Sequence, residues 1–311
     1  MKIDSLFSGI GGIDIGFLQA GFTVAWANDC DPQACKTYRF NFPNVKLYEM
    51  DICRCNPTEP DHVDVITAGF PCQPFSICGS QNGFSDKRGV LFFEIMRIAD
   101  MLNHPILFLE NVANITDHND GKTFNIIHNE LSERGYFIRY AIMDACRYGI
   151  PQHRTRMYLI AFKNERDCNA FLFPLGQDCE KNIFDCIDRT HKQDEKFYIE
   201  EGSATYMQLI SAMKDPAQIY RFSDFGVQSG KNGISFTLKA NMGTWRNRIP
   251  YIKDDYGIRM ITPQECLALQ GFPENFVFTS IPIASAYKQC GNTVAVPVIK
   301  AIAKEMLNTC M

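Results

Sequence analysis

From Lys2 to Phe162 the sequence alternates short β-rich runs with amphipathic helical patterns, and this alternation restricts the fold more than any other feature. Strands are expected at Lys2 to Phe7, Phe22 to Ala27, Val45 to Met50, Val63 to Ala68, Ile106 to Leu109, Phe137 to Met143 and Met157 to Phe162. Helices fill the gaps. Ile13 to Ala20 stops at Gly21, and a second helix begins with Asp31 as N-cap and Pro32 at its first position, where the missing N–H costs nothing. Leu91, Ile95, Ile98 and Leu102 recur at three- and four-residue steps within Gly89 to Asn103, and Lys122 to Arg134 ends at a Gly135 cap. Strand and helix in strict succession mean a mostly parallel sheet wrapped by helices, a Rossmann-like α/β class.

The rhythm fades after Phe173, where Gly, Asn, Asp and Ser punctuate short irregular segments up to about Ile258. Residues 1–172 are therefore expected to form one α/β domain and 173–284 a smaller, loop-rich domain with its hinge. Residues 285–311 return to a helical pattern, with Val296, Ile299, Ile302, Ala303 and Met306 on one side, and are expected to pack back on the first domain. A chain of 311 residues with 46% hydrophobic content is long enough to bury such a core.

The net charge of −4 excludes a uniformly basic surface, so any nucleic-acid contact must come from a local patch. Thirteen cysteines without a secretory leader fit a reducing cytoplasm. Cys53 and Cys55 lack the neighbours that would complete a tetrahedral zinc site, so no structural metal is expected. No run approaches the ~18 apolar residues of a membrane span.

Two places at strand ends carry chemistry. Phe7-Ser8-Gly9-Ile10-Gly11-Gly12 follows a strand and opens a helix, where a tight glycine turn lets backbone N–H groups approach a ligand. Asp29, at the end of the second strand, sits where a carboxylate accepts ribose hydroxyls, and Asp51-Ile52, ending the third, suits an adenine amino group and ring face. A dinucleotide would want a fuller G-x-G-x-x-G, and Asp14 falls at the last glycine. S-adenosylmethionine, lacking a phosphate, is less demanding. After the fourth strand, Cys72 stands between Pro71 and Pro74 in Gly69-Phe70-Pro71-Cys72-Gln73-Pro74-Phe75-Ser76, a stiffened loop of the kind that aims a sulfur rather than packing it. After the fifth comes Glu110-Asn111-Val112, whose carboxyl follows an apolar run and is expected to be partly desolvated and able to carry a proton. In Gln152-His153-Arg154-Thr155-Arg156, Arg154 and Arg156 alternate and can point at one site; surface ion pairs are the alternative.

These segments, with Arg259-Met260-Ile261-Thr262-Pro263-Gln264-Glu265-Cys266, Gln270-Gly271-Phe272-Pro273 and Ala286 to Val294, resemble the bacterial cytosine-C5 DNA methyltransferases over nearly the whole chain. The resemblance implies methyl transfer from S-adenosylmethionine to cytosine C5 in duplex DNA. It makes Cys72 the nucleophile at C6, Glu110 the group at N3, and Arg156 with Arg154 the holders of O2 and the active-site loop. The target base must leave the stack to meet the sulfur. Phe7, Gly9, Gly11, Gly12, Asp29, Cys30, Asp51, Ile52, Pro71, Leu91 and Asn292 match positions around the cofactor. The loop Ser76 to Arg88, including Cys78, resembles a lid that closes over DNA. Ser5 stands where the family usually has Asp, with Asp4 displaced by one residue, and Cys30 stands where an aromatic often stacks on adenine. A monomer working beside a cognate restriction endonuclease in a restriction-modification system is the implied setting.

Between Tyr220 and Arg248 the charged residues are Arg221, Lys231, Lys239, Arg246 and Arg248 against Asp224 alone, a local basic patch spaced among glycines. Thr237-Leu238 resembles the family's Thr-Leu pair in the target-recognition domain. Gln228 is a candidate for filling the hole left by the flipped base, and Arg246 and Arg248 are candidates for reading guanine edges. A tRNA methyltransferase of the same fold and a catalytically dead DNA-binding regulator are the rival readings. Neither the recognised DNA sequence nor a partner endonuclease is legible in the chain.

Overall fold

Parallel strands need crossovers, and the helices expected from the sequence supply them. A computed structural model describes residues 1–58, 63–71, 90–244 and 246–310. The chain forms two compact units: residues 1–143, 155–175 and 299–311 make the first, and 144–154 with 176–298 the second.

The first unit carries β1 (Lys2–Leu6), α1 (Gly12–Ala20), β2 (Thr23–Asp29), α2 (Pro32–Asn41), β3 (Lys46–Glu49), β4 (Val65–Gly69), α3 (Val90–Leu102), β5 (Ile106–Val112), α4 (Lys122–Glu133), β6 (Phe137–Asp144, its last residue grouping with the second unit), β7 (Thr155–Phe162) and α5 (Glu165–Ala170). The seven strands form one sheet in the order β3-β2-β1-β4-β5-β7-β6. β3, β2, β1, β4 and β5 are mutually parallel, and β7 runs antiparallel to β5. The α/β, mostly parallel class expected from the sequence is what forms.

Local chemistry explains the helix ends. Asp31 accepts the N–H groups of Gln33 and Ala34 at the start of α2, with Pro32 at its first position. Gly21, at positive φ, closes α1 by donating to the carbonyls of Phe17 and Leu18. Alternate strand residues Leu6, Ile66, Ala68, Leu107, Leu109, Met157, Leu159 and Ala161 share one core cluster with Phe92, Ile95 and Met96 of α3 and Ile127 and Leu131 of α4. Phe17 of α1 packs edge-on against Phe108, with ring centroids 5.2 Å apart.

The second unit carries α6 (Ala204–Ala212), β8 (Tyr220–Ser223), β9 (Gly226–Ser229), β10 (Tyr251–Asp254), β11 (Gly257–Met260), α7 (Pro263–Ala268) and α8 (Ile283–Asn292); α9 (Val296–Cys310) starts there and continues into the first unit. Its four strands form an antiparallel sheet, β11-β10-β8-β9, in a region where the sequence announced only loops. Arg259 is fully buried and gives that sheet an ionic centre, bonding Asp254 at 2.6 Å and both carboxylate oxygens of Glu265 at 2.7 and 2.8 Å. In the first unit, Ile299 of α9 sits so close to Gly16 of α1 that a Cβ there would lie 2.5 Å from it.

Gly291 makes the tightest approach of the second unit. A Cβ there would lie 2.1 Å from the backbone nitrogen of Ala240. Gly291→Ala therefore forces backbone apart, and chemical denaturation should show a loss of about 2 kcal/mol or more.

Candidate active site

The strand order reverses between β1 and β4, and open α/β sheets place ligands at the carboxyl ends of strands beside such a reversal. The turn after β1 carries Phe7 and Gly9, both at positive φ (54° and 56°). For Phe7 this is uncommon backbone geometry, of the kind that clusters at functional sites. A Cβ on Gly9 would meet nothing within 4 Å, so the backbone faces open space, while one on Gly11 would strike the ring of Phe42 at 2.3 Å. Gly12 is buried as the first residue of α1.

Asp29 ends β2 and holds this turn. One carboxylate oxygen accepts the Gly9 N–H at 2.8 Å, and the other accepts the Asp31 N–H at 2.8 Å. Burial raises the Asp29 pKa, against the lowering effect of the Asp31 and Gly9 N–H groups. Asn28 ties the ends of β2 and β3 together through the carbonyls of Tyr48 and Met50 (2.8 and 2.9 Å). Asp51 is exposed and caps a short 3-10 turn over Ile52–Arg54 through the Cys53 N–H. Ile52 is buried in the core cluster; Leu91 is half-buried against it, and Cys30 and Pro71 are exposed. Asn292 ends α8 in the second unit and is exposed.

Under this turn lies a carboxylate for which the sequence offered no role. Asp14 is fully buried and accepts the hydroxyls of Ser5 and Tyr38, each at 2.5 Å. Burial pushes its pKa up to about 6, against the lowering effect of those two hydrogen bonds. Ser5, the departure from the family pattern, is thus partnered, and the displaced Asp4 bonds buried His104 at 2.8 Å. In the sequence, Asp14 registered only as a missing glycine.

At the neighbouring strand ends, Gly69 of β4 pairs in register with Glu110 of β5, and Val112 with Arg156 of β7. This brings Arg156 Nε to 3.2 Å from Glu110 Oε1, with both side chains nearly buried. Glu110 also lies beside Gly69, where an added Cβ would stand 3.5 Å from its second oxygen, an ordinary contact. Asn111 donates to the Phe70 carbonyl at 3.0 Å, fixing the backbone where the segment toward Cys72 begins. Cys72, Ser76, Cys78 and Arg88 lie outside the described residues.

Arg154 has different partners from Arg156. It is buried in the second unit, where its guanidinium donates to the carbonyls of Leu238 (2.9 Å), Gly291 (3.2 Å) and Thr293. β7 begins only at Thr155, so Arg154 precedes the strand that carries Arg156. Gln152, fully buried, bonds the Leu269 carbonyl (3.0 Å) and the Leu238 N–H (3.3 Å), and Thr237 donates its hydroxyl to the His153 carbonyl (2.6 Å). The Gln-x-Arg stretch thus fastens Thr237-Leu238.

In the basic patch, Lys231 and Lys239 are exposed, and Gln228 on β9 accepts from Arg221 at 3.4 Å. Arg248 pairs with Asp224 at 2.9 Å. Arg246–Arg248 forms a 3-10 turn. Among the described residues one group of metal-ligating types comes together, Asp144, Cys146 and His153, with ligand atoms within 4.8 Å of one another. The Asp144 carboxylate there is already occupied by His153 Nδ1 and the Arg154 N–H, each at 2.8 Å.

The sequence model of the C-5 cytosine-specific DNA methylases matches residues 1–308. The chain belongs to that family. This methylase is 40% identical over 310 residues to the type II methyltransferase M.Bsp6I of Bacillus sp. (strain RFL6), covering 98% of each chain. It is 35% identical to M.HpaII of Haemophilus parainfluenzae, over 97% of its own length and 88% of the relative's. Its fold is also that of Spodoptera frugiperda DNMT2 in a solved mutant (TM-score 0.77, 22% identity, 98% and 99% covered). A putative DNA modification methyltransferase from an Escherichia coli prophage shares the fold as well (TM-score 0.70, 24% identity, 100% and 99% covered). The methylase is accordingly a DNA cytosine-5 methyltransferase. No helix among the described residues is long and apolar enough to cross a membrane.

An acid whose pKa rises from 3.8 to about 6 on folding sits where its ionised form is disfavoured. Stability is thus lost as pH rises from 3.8 to about 6 and is level above that, a change of about 3 kcal/mol. Unfolding free energies measured across this range should show the native protein falling by about that amount relative to Asp14→Asn.

Proposed function

We propose that the methylase transfers the methyl group of S-adenosylmethionine to C5 of a cytosine swung out of duplex DNA, with Cys72 as nucleophile, Glu110 at N3 and Arg156 holding Glu110 and the base O2. The reading is carried by the Glu110–Arg156 contact of 3.2 Å on the strand end next to the one that leads to Cys72. The cytosine ring is too electron-poor at C5 to take a methyl group directly. Addition of the Cys72 thiolate at C6 turns the ring into an enamine, and Glu110 stabilises the charge that builds at N3 by giving or sharing a proton. Loss of the C5 proton then expels the sulfur and restores the aromatic ring. A base paired inside a helix cannot present C6 to a sulfur, so extrusion is required.

The cradle fits the proposed cofactor. Open backbone at Gly9 leaves room, Asp29 offers carboxylate lone pairs beyond its two backbone bonds, and Asp51, Ile52 and Leu91 lie at neighbouring strand and helix ends. Bound there, S-adenosylmethionine supplies an electrophilic methyl group. The role of Phe7, Gly11, Gly12, Cys30 and Pro71 is to shape and line this cradle, with Asn292 contributing from α8. Arg154 acts as a positioning residue through the carbonyls it binds. In the second unit Gln228, Lys231, Thr237, Lys239, Arg246 and Arg248 serve DNA recognition, as do Ser76, Cys78 and Arg88 in the segment after Cys72. Residues 1–172, 173–284 and 285–311 are the catalytic domain, the recognition domain with its hinge, and the returning C-terminal helix. The type II names of the relatives support a cytoplasmic monomer that protects DNA against a cognate endonuclease.

Duplex DNA carrying 5-fluorocytosine at the methylated position should trap a covalent complex, because fluorine cannot leave as a proton does. Denaturing electrophoresis should show the adduct with the native enzyme and none with Cys72→Ala, which should also lose methyl transfer by at least ~10³-fold while still binding DNA. Normal turnover by Cys72→Ala would refute the assignment.

A further inference from the structure

The basic patch of the second unit surrounds a cavity of about 240 Å³ that the reaction chemistry leaves unused. Arg221 of β8 forms part of its wall. The Arg221 guanidinium lies 4.0 Å from the centre of the Phe236 ring, a cation–π contact that covers one of its faces and limits its orientation. Gln228, opposite Arg221 in the β8–β9 register, accepts one of those N–H groups through Oε1. That uses the amide's acceptor and leaves its Nε2 donor. Arg248 lines the same cavity, but it has a counter-ion in Asp224. Arg221 has no carboxylate partner among the described residues. Burial, with Arg248 adding to it, lowers the Arg221 pKa. Phe225 stands 94% exposed at the turn of the hairpin and lines the cavity as well.

A wall made of donors in one plane, backed by aromatic rings, calls for a flat ligand edge bearing two adjacent acceptors. In the major groove only guanine has that edge, at O6 and N7. A phosphate accepts from the same planar fork, but it gains nothing from the aromatic walls, against which a flat base can stack. We propose that Arg221, oriented by Phe236 and Gln228, reads a guanine of the recognised DNA sequence and thereby sets the specificity of the methylase. The inference rests on the DNA-methylation reading above.

Bisulfite mapping of DNA methylated by the native enzyme first gives the recognised sequence. Each guanine in it is then replaced by 7-deazaguanine, and kcat/KM is measured for the native protein, Arg221→Ala and Arg221→Lys, all checked for unchanged thermal melting. At one guanine the replacement should slow the native enzyme roughly tenfold, and the same replacement should cost Arg221→Ala nothing. Arg221→Lys, which keeps the charge but not the fork, should behave like Arg221→Ala. The proposal is overturned if every guanine keeps its full penalty in Arg221→Ala, or if no guanine is sensitive. It is also overturned if Arg221→Ala weakens all sequences uniformly, with the salt dependence of binding falling by about one unit and Lys restoring it, since that is a phosphate contact. Absence of methylation on any duplex by the native enzyme would instead remove the reading on which this proposal stands.

Discussion

Everything at the chemical edge depends on the reversal of strand order between β1 and β4. Crossovers leaving the two strands go opposite ways, and open α/β sheets place their ligands at the carboxyl ends of strands beside such a reversal. Side-chain hydrogen bonds hold the backbone along this edge in shape. Asp29 fastens the Gly9 turn, Asn28 joins β2 to β3, and Asn111 fixes the carbonyl of Phe70. None of these side chains needs to react; each replaces a backbone partner that a strand end would otherwise lack.

The antiparallel strand β7 adds what a purely parallel sheet could not. Running against β5, it brings residues near its own start to the carboxyl end of β5, so Arg156 meets Glu110. A parallel strand at that place would have presented its last residues there instead. Beneath the first turn, the Asp14 carboxylate joins β1, α1 and α2 through Ser5 and Tyr38, an arrangement that accepts a costly buried acid in exchange for fixed orientation.

Periodicity gave the first unit well, because each strand and helix there buries a face and must show it in the pattern. Asp31-Pro32 and Gly21 marked helix ends through local chemistry that needs no tertiary context. The four-stranded sheet of the second unit escaped notice for a physical reason. Its strands have four residues each, shorter than the alternation needed to stand out, and their cohesion comes from Arg259 and its two carboxylates, which are distant in the chain from most of what they support. The burial of Glu110 was legible because the apolar run before it is local. Arg154 was not, since the carbonyls it serves belong to Leu238, Gly291 and Thr293. Asp14 was read as an absent glycine because Tyr38, the partner that explains it, lies a whole strand and helix away.

The hairpin from Tyr220 to Ser229 is closed by its own ladder and anchored to the rest of its sheet by the pairing of Tyr220 with Tyr251. The hairpin belongs to the second unit, whereas Glu110 and Arg156 are held by two different strands, β5 and β7, of the first. The two sets of residues therefore lie in separate stretches of the gene, and a substitution in one leaves the internal hydrogen bonds of the other intact.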